Sequence, residues 1–264
     1  MDLLDEYGSS DDDAADDNDN NNDVFDSTRN DEAGIGTVHV ERIAVVPSSS
    51  IASNTFVRSV PHIPGNWAGH VFGAIAIDHD FRRELSASLD RFQMFLMTTA
   101  FQPSQIISHL DCDYLHLSLS RLFMLPLASI ESFVEQLQKR LSCIPTTTLR
   151  VNWSMERLLV NDERTRYFCT VAVDTNPTLL AMVQQIDAVL TTYNQPTYYS
   201  PPLFHISIAS FVGDPTLELA NSITAGIQLS HSTTNSDYVR YVTLNQVECT
   251  FGTTKSYSVK LLPR

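Results

Sequence analysis

Along the chain, short runs of β-branched and aromatic residues alternate with stretches whose apolar positions recur every three or four residues. Ala68 to Ile77 has the character of a strand. From His79 to Thr99, Phe81, Leu85, Leu89, Phe92 and Leu96 fall at helical intervals, which predicts a helix with one buried face. Tyr114 to Leu125 reads as a strand. Ile130 to Leu141 repeats the helical period with Phe133, Val134, Leu137 and Leu141. Leu149 to Val160 and Tyr167 to Val173 then read as two strands of a hairpin around the polar turn Asn161-Asp162-Glu163. Asn176-Pro177 opens a third helix, with Leu179, Leu180, Val183, Ile186, Val189 and Leu190 on its apolar face, and Asn194-Gln195-Pro196 ends it. Leu203 to Val212 is a strand and Pro215 to about Ile227 a helix. Tyr238 to Val247 and Lys255 to Leu262 close the pattern as strands. Few helices among many strands indicate an α+β fold.

The pattern starts late. Of the 31 acidic residues in the 264-residue chain, 13 lie in the first 32 positions, against a single base, Arg29, so most of the net charge of −14 belongs to the start. DDDAADDNDNNND has almost nothing apolar to offset the entropy of ordering it, and disorder is expected there. Pro47, the serines at 48–50, Pro61, Pro64 and Gly65 then suggest a linker. The expected organisation is an acidic tail and linker over 1–59 and a folded domain over 60–264. No apolar stretch approaches the roughly 20 residues of a membrane span, so no membrane association is expected. Cys112, Cys143, Cys169 and Cys249 are scattered without metal-ligand spacing, which points to reduced thiols and away from a zinc site. Neither GxGxxG nor GxxxxGK[ST] occurs, so a glycine-rich phosphate loop is not expected.

The candidate chemistry lies in two strands that carry nearly the same word, Leu115-His116-Leu117-Ser118-Leu119 and Phe204-His205-Ile206-Ser207-Ile208. Alternate residues of a strand share a face, so His116 and Ser118 point one way while the leucines point into a core; His205 and Ser207 do the same. His231-Ser232-Thr233 lacks the interleaved apolar positions and shows what a chance match looks like. Two imidazoles and two hydroxyls suit cleavage of an RNA phosphodiester by internal transfer. A neutral imidazole removes the proton of a ribose 2′-hydroxyl, a protonated one donates to the departing 5′-oxygen, and Ser118 and Ser207 are placed to stabilise phosphoryl charge. The substrate supplies its own nucleophile, so proximity is built in. A serine nucleophile is disfavoured by the lack of a GxSxG elbow. Which imidazole is the base depends on the direction of the substrate and stays open here.

These residues resemble the two-histidine (2H) phosphoesterases, which carry paired H-x-[ST] motifs on two pseudo-symmetric lobes. Within that superfamily the chain is most similar to the eukaryotic U6 small nuclear RNA phosphodiesterases. The similarity covers about residues 61 to 264 and extends to Pro64-Gly65-Asn66-Trp67, His116 through Ser120, Glu163-Arg164-Thr165-Arg166 and YYSPPLFHISIASFVGD from Tyr198. It implies a bilobal fold with antiparallel sheets lining a central groove and helices outside. It also implies a metal-independent 3′-to-5′ exoribonuclease without a cofactor that trims uridines or adenosines from the 3′ end of U6 RNA, leaving a 2′,3′-cyclic phosphate or a 3′-phosphate. Carried over by motif, His116 and His205 are acid and base, Ser118 and Ser207 contact phosphate, Tyr199 stacks on the terminal base, and the backbone around Leu203 lies beside the same nucleotide. Asp162, where a polar amide is usual, and Pro201-Pro202 depart from the family pattern. The resemblance also implies nuclear residence, and a monomer is expected.

Two other readings fit the same motifs: a cyclic phosphodiesterase or ligase-like enzyme on transfer RNA or nucleotide ends, and a non-catalytic RNA-binding module. Outside the motifs, His70 reads as a hydrogen-bonded structural histidine. His39, His62, His79 and His109 receive no role. Arg121, Arg150, Arg157, Arg164 and Arg166 read mainly as solvated charges that add local positive potential for RNA.

Overall fold

The computed structural model describes residues 64–98, 106–162, 164–212 and 239–263. The tail and linker expected over 1–59 and the helix expected over 215–227 lie outside the described residues. The described elements run β1 (Asn66–Ala76), α1 (His79–Met97), β2 (Ile106–Ser108), β3 (Tyr114–Ser118), β4 (Phe123–Pro126), α2 (Leu127–Leu141) and β5 (Thr147–Val160). They continue as β6 (Arg166–Val173), α3 (Pro177–Thr192), β7 (His205–Val212), β8 (Arg240–Leu244), β9 (Gln246–Phe251) and β10 (Lys255–Lys260). The α+β class expected from the pattern is the class observed.

All ten described strands join one sheet in the order β10-β9-β1-β3-β7-β6-β5-β8, with β4 on β1 and β2 on β7, and every strand-to-strand pairing is antiparallel. The two sheets expected for two lobes are halves of this network. β10, β9, β1, β3 and β4 form one half; β7, β6, β5, β8 and β2 form the other. They meet where β3 pairs with β7, at Leu117 opposite Ile206.

Two expected strands divide, each for a reason of pairing. Tyr114 to Leu125 becomes β3 on the Phe72–Ala76 half of β1 and β4 on its Asn66–Gly69 half. Between them the backbone N–H groups of Leu119 and Ser120 both donate to the Val71 carbonyl, and the Ser120 hydroxyl accepts from Val71 N at 2.8 Å. Tyr238 to Val247 overlaps β8, which pairs with β5 in one half, and β9, which pairs with β1 in the other, so the chain changes partners at Asn245. Arg121 interrupts the Leu115-Leu117-Leu119 series and Asn245-Gln246 shifts the phase from Val242 and Leu244 to Val247, but neither interruption shows which partner comes next.

The helices start where capping chemistry permits. Asp78 Oδ1 accepts from Phe81 N at 2.7 Å and Asn176 Oδ1 from Leu179 N at 2.9 Å, each satisfying an amide of the first turn. Their apolar faces enter one core with Leu115, Leu117, Ile206 and Ile208. Phe81 of α1 packs edge-on against Trp153 of β5, and Phe133 of α2 meets Phe123 and Phe251. Gly69 makes the last cluster possible: a β-carbon there would lie 2.3 Å from the Phe123 ring and 2.8 Å from Phe251. Glu156, fully buried in β5, accepts from Ser88 and from Arg91 (2.7 Å), which ties α1 to the sheet through a paired charge. Among the described residues, no helix is long and apolar enough to cross a membrane.

Candidate active site

Register brings the two words together. Leu117 and Ile206, the central residues of the motifs, are antiparallel partners, so His116 falls beside Ser207 and Ser118 beside His205. The neighbouring ladders agree on the face. Ala74 opposes His116, Phe72 opposes Ser118, Ala172 opposes His205 and Thr170 opposes Ser207, whereas Gly73 opposes the core residue Leu117. All four motif side chains therefore share the face turned away from the core, and none of them is buried.

The imidazoles sit in unlike surroundings. His116 is in contact with solvent, yet protein flanks it: Phe72 stacks at 3.9 Å between ring centroids, Tyr114 at 5.8 Å, and His70 lies 6.3 Å away. Desolvation, with a smaller push from His109, lowers its pKa to about 4. His205 is also shifted down by desolvation, but its Nδ1 lies 2.9 Å from the Leu203 carbonyl, and that contact favours the protonated ring. A carbonyl can only accept, so Nδ1 carries the proton and the neutral ring has Nε2 as its acceptor.

Two histidines outside the motifs, His70 and His109, bond to serines on the motif strands. His70 Nε2 lies 3.1 Å from Ser118 Oγ, and His109 Nε2 lies 3.0 Å from Ser210 Oγ. His70 is hydrogen-bonded, as expected, and its partner is a motif hydroxyl. The available signal was strand alternation, which puts His70 on the face of Phe72 and Ala74. No local pattern marks His109, because it follows the three-residue strand β2. Burial pushes the pKa of His70 down to about 3 and also lowers that of His109, to which the Arg166 guanidinium contributes.

Tyr199 lies in the loop before β7 and is 44 % exposed. The Arg121 guanidinium sits 5.1 Å from its ring centroid, Arg121 Nη2 donates to Asp162 Oδ2 at 2.7 Å, and the Tyr199 hydroxyl donates to the same carboxylate at 3.3 Å. Asp162 is therefore the acceptor that joins Arg121, just after β3, to the tyrosine before β7. Leu203 contributes its carbonyl to His205, and its side chain is partly exposed. Among the described residues, no group of three or more His, Cys, Asp or Glu side chains is arranged to hold a metal ion.

Residues 46–258 match the HVSL family, described as an uncharacterised conserved protein. The U6 snRNA phosphodiesterase 1 of Mus musculus is 30% identical over 207 residues, spanning 78% of this chain and 73% of that protein. The chain belongs to the U6 snRNA phosphodiesterase family. The family member of Homo sapiens is 28% identical over 207 residues, again 78% of this chain and 73% of the relative. The fold agrees with that membership. Kluyveromyces marxianus Usb1 superposes with a TM-score of 0.54 at 13% sequence identity, over 74% of this chain and 98% of that one. The same protein solved with uridine monophosphate gives 0.55 at 14% identity, with the same coverage. The α+β fold implied by the resemblance is the fold observed, and this chain shares it with that structure.

Proposed function

We propose that this chain is a metal-independent 3′-to-5′ exoribonuclease that trims the 3′ end of U6 small nuclear RNA, including an oligouridine tail. The observation that carries this reading is the antiparallel pairing of Leu117 with Ile206, which brings two histidines and two serines to one face of the sheet. The names of the relatives supply the RNA, and nuclear residence goes with that substrate.

His116 acts as general base and His205 as general acid. His116 has its pKa lowered to about 4, so it meets substrate neutral and can take the 2′-hydroxyl proton. The 2′-oxygen attacks the adjacent phosphorus, a new O–P bond forms and the bond to the 5′-oxygen breaks. His205, whose imidazolium the Leu203 carbonyl favours, gives that oxygen its proton. RNA ending in a 2′,3′-cyclic phosphate remains, and the released fragment leaves with a 5′-hydroxyl. The Ser118 and Ser207 hydroxyls donate to the phosphoryl oxygens, where charge builds. Tyr199 stacks on the base of the leaving nucleotide, a contact that tolerates uracil or adenine. The Leu203 backbone lies beside the same nucleotide.

The test is incubation with 5′-labelled oligouridine in EDTA. Stepwise shortening to cyclic-phosphate ends is expected, with no cleavage when the ribose 5′ to the scissile phosphate is 2′-deoxy. His116→Ala and His205→Ala should each lower kcat by roughly 10²- to 10⁴-fold. Robust cleavage of the deoxy substrate would sink the mechanism. Activity confined to short cyclic nucleotides would favour the cyclic phosphodiesterase reading.

A further inference from the structure

We propose that Tyr114 is the stacking platform for the upstream base, on the nucleotide whose ribose carries the attacking 2′-hydroxyl. This rests on the exoribonuclease reading above and adds a second base subsite, at the end of the polar face opposite Tyr199.

Placement comes first. Tyr114 precedes His116 by two residues on β3, and their partners Ala76 and Ala74 confirm that both side chains lie on the polar face. The two rings are 5.8 Å apart at 27°, and Tyr114 is 46 % exposed. An aromatic ring that continues the stack from a catalytic imidazole toward solvent offers a π-face to an unpaired base.

Direction follows from the strands. Tyr199 sits against Arg121, beyond the end of β3, and ahead of His205, which starts β7. Because β3 and β7 are antiparallel, both positions fall at the Ser118/His205 end. Tyr114 lies at the other end, past His116. An RNA laid along the strands with its terminal base on Tyr199 therefore brings its preceding base to Tyr114. The same direction sets the upstream 2′-hydroxyl beside His116 and the leaving oxygen beside His205, the roles proposed for them above. The second half of the sheet adds polar and cationic groups along β7 on this side of the motif. His109 donates its backbone N–H to the Ile208 carbonyl at 2.9 Å and contacts Ser210 through its ring, and Arg166 is close enough to depress its protonation. A phosphate backbone passing that side meets the Arg166 guanidinium, with the Glu248 carboxylate acting on Tyr114 from the β9 side.

Two oligouridines decide the matter, one intact and one abasic at the nucleotide 5′ to the scissile phosphate with its 2′-hydroxyl kept. Each is cleaved in chelator by the full-length chain. Removing the base should lower kcat/KM of the wild type roughly tenfold. Tyr114→Ala should show that loss on the intact RNA and no further loss on the abasic one. Tyr114→Phe should behave as wild type, and Tyr199→Ala should remain sensitive to the upstream base. If Tyr114→Ala keeps the full wild-type sensitivity, or loses activity equally on both RNAs, the platform is overturned while the nuclease stands. If the wild type cleaves neither RNA, the exoribonuclease reading falls and the platform with it.

Discussion

His70 Nε2 lies 3.1 Å from the Ser118 hydroxyl oxygen, across the ladder that joins β1 to β3. Burial keeps this imidazole neutral, with its pKa at about 3, so it adds no charge beside Ser118. When Nε2–H donates to Oγ, the serine O–H is left to donate to a phosphoryl oxygen, and the two bonds polarise each other. On the mechanism proposed above, His70 would act on the reaction through Ser118.

A double-mutant cycle tests this. His70→Ala should lower kcat roughly tenfold and leave KM nearly unchanged, and His70→Gln, whose amide can donate to the same oxygen, should recover part of the loss. In a Ser118→Ala background, His70→Ala should cost almost nothing more. Equal losses in both backgrounds would assign His70 to packing alone.

The low histidine pKa values also govern acid stability. His70 and His116 are held at about 3 and about 4, below the 6.5 of an unfolded histidine, so the unfolded chain binds more protons below that value. Stability from these sites is present above pH 6.5 and is lost as pH falls toward 4 and 3. Partly buried His70 accounts for up to a few kcal/mol of it. Urea unfolding at pH 7.5, 6 and 5 should show a decline that His70→Gln makes shallower; an unchanged slope would show that His70 does not contribute.

Asp162 organises the Tyr199 end. Asp162→Asn removes the charge of the ion pair to Arg121 and leaves a neutral amide in its place. Because the pair is half exposed, stability should change by less than about 1 kcal/mol. The effect should appear in binding instead, as a severalfold change in KM for oligouridine with kcat preserved. A fall in kcat at constant KM would place Asp162 in the chemistry and contradict its role as a positioning group.

Gly69 should tolerate nothing larger. The β-carbon of Gly69→Ala would enter the rings of Phe123 and Phe251, and overpacking of this kind costs about 1–3 kcal/mol. Thermal unfolding should occur several degrees lower. The wild-type midpoint would mean that the aromatic cluster shifts freely.

Much of this was legible in the residues, because the physics was local. Phe81, Leu85, Leu89, Phe92 and Leu96 mark α1 by spacing, Asn176 caps α3, and two apolar-flanked His-x-Ser words put their side chains on one face of two strands. Long-range pairing was hidden. Neither word shows that Leu117 meets Ile206, or that β1 serves both β3 and β4 and thereby splits an expected strand. The partners of the other histidines were hidden for the same reason: 48 positions separate His70, expected to be hydrogen-bonded, from Ser118, and 101 separate His109 from Ser210.

Pairing two like words through their middle residues gives the centre of the site an approximate palindrome: read from either motif, it offers an imidazole, then a hydroxyl across the seam. The words themselves set no direction; the asymmetry comes from what surrounds them, the Phe72 stack and an open Tyr114 on the His116 side, the Leu203 carbonyl and the Asp162 tether on the His205 side.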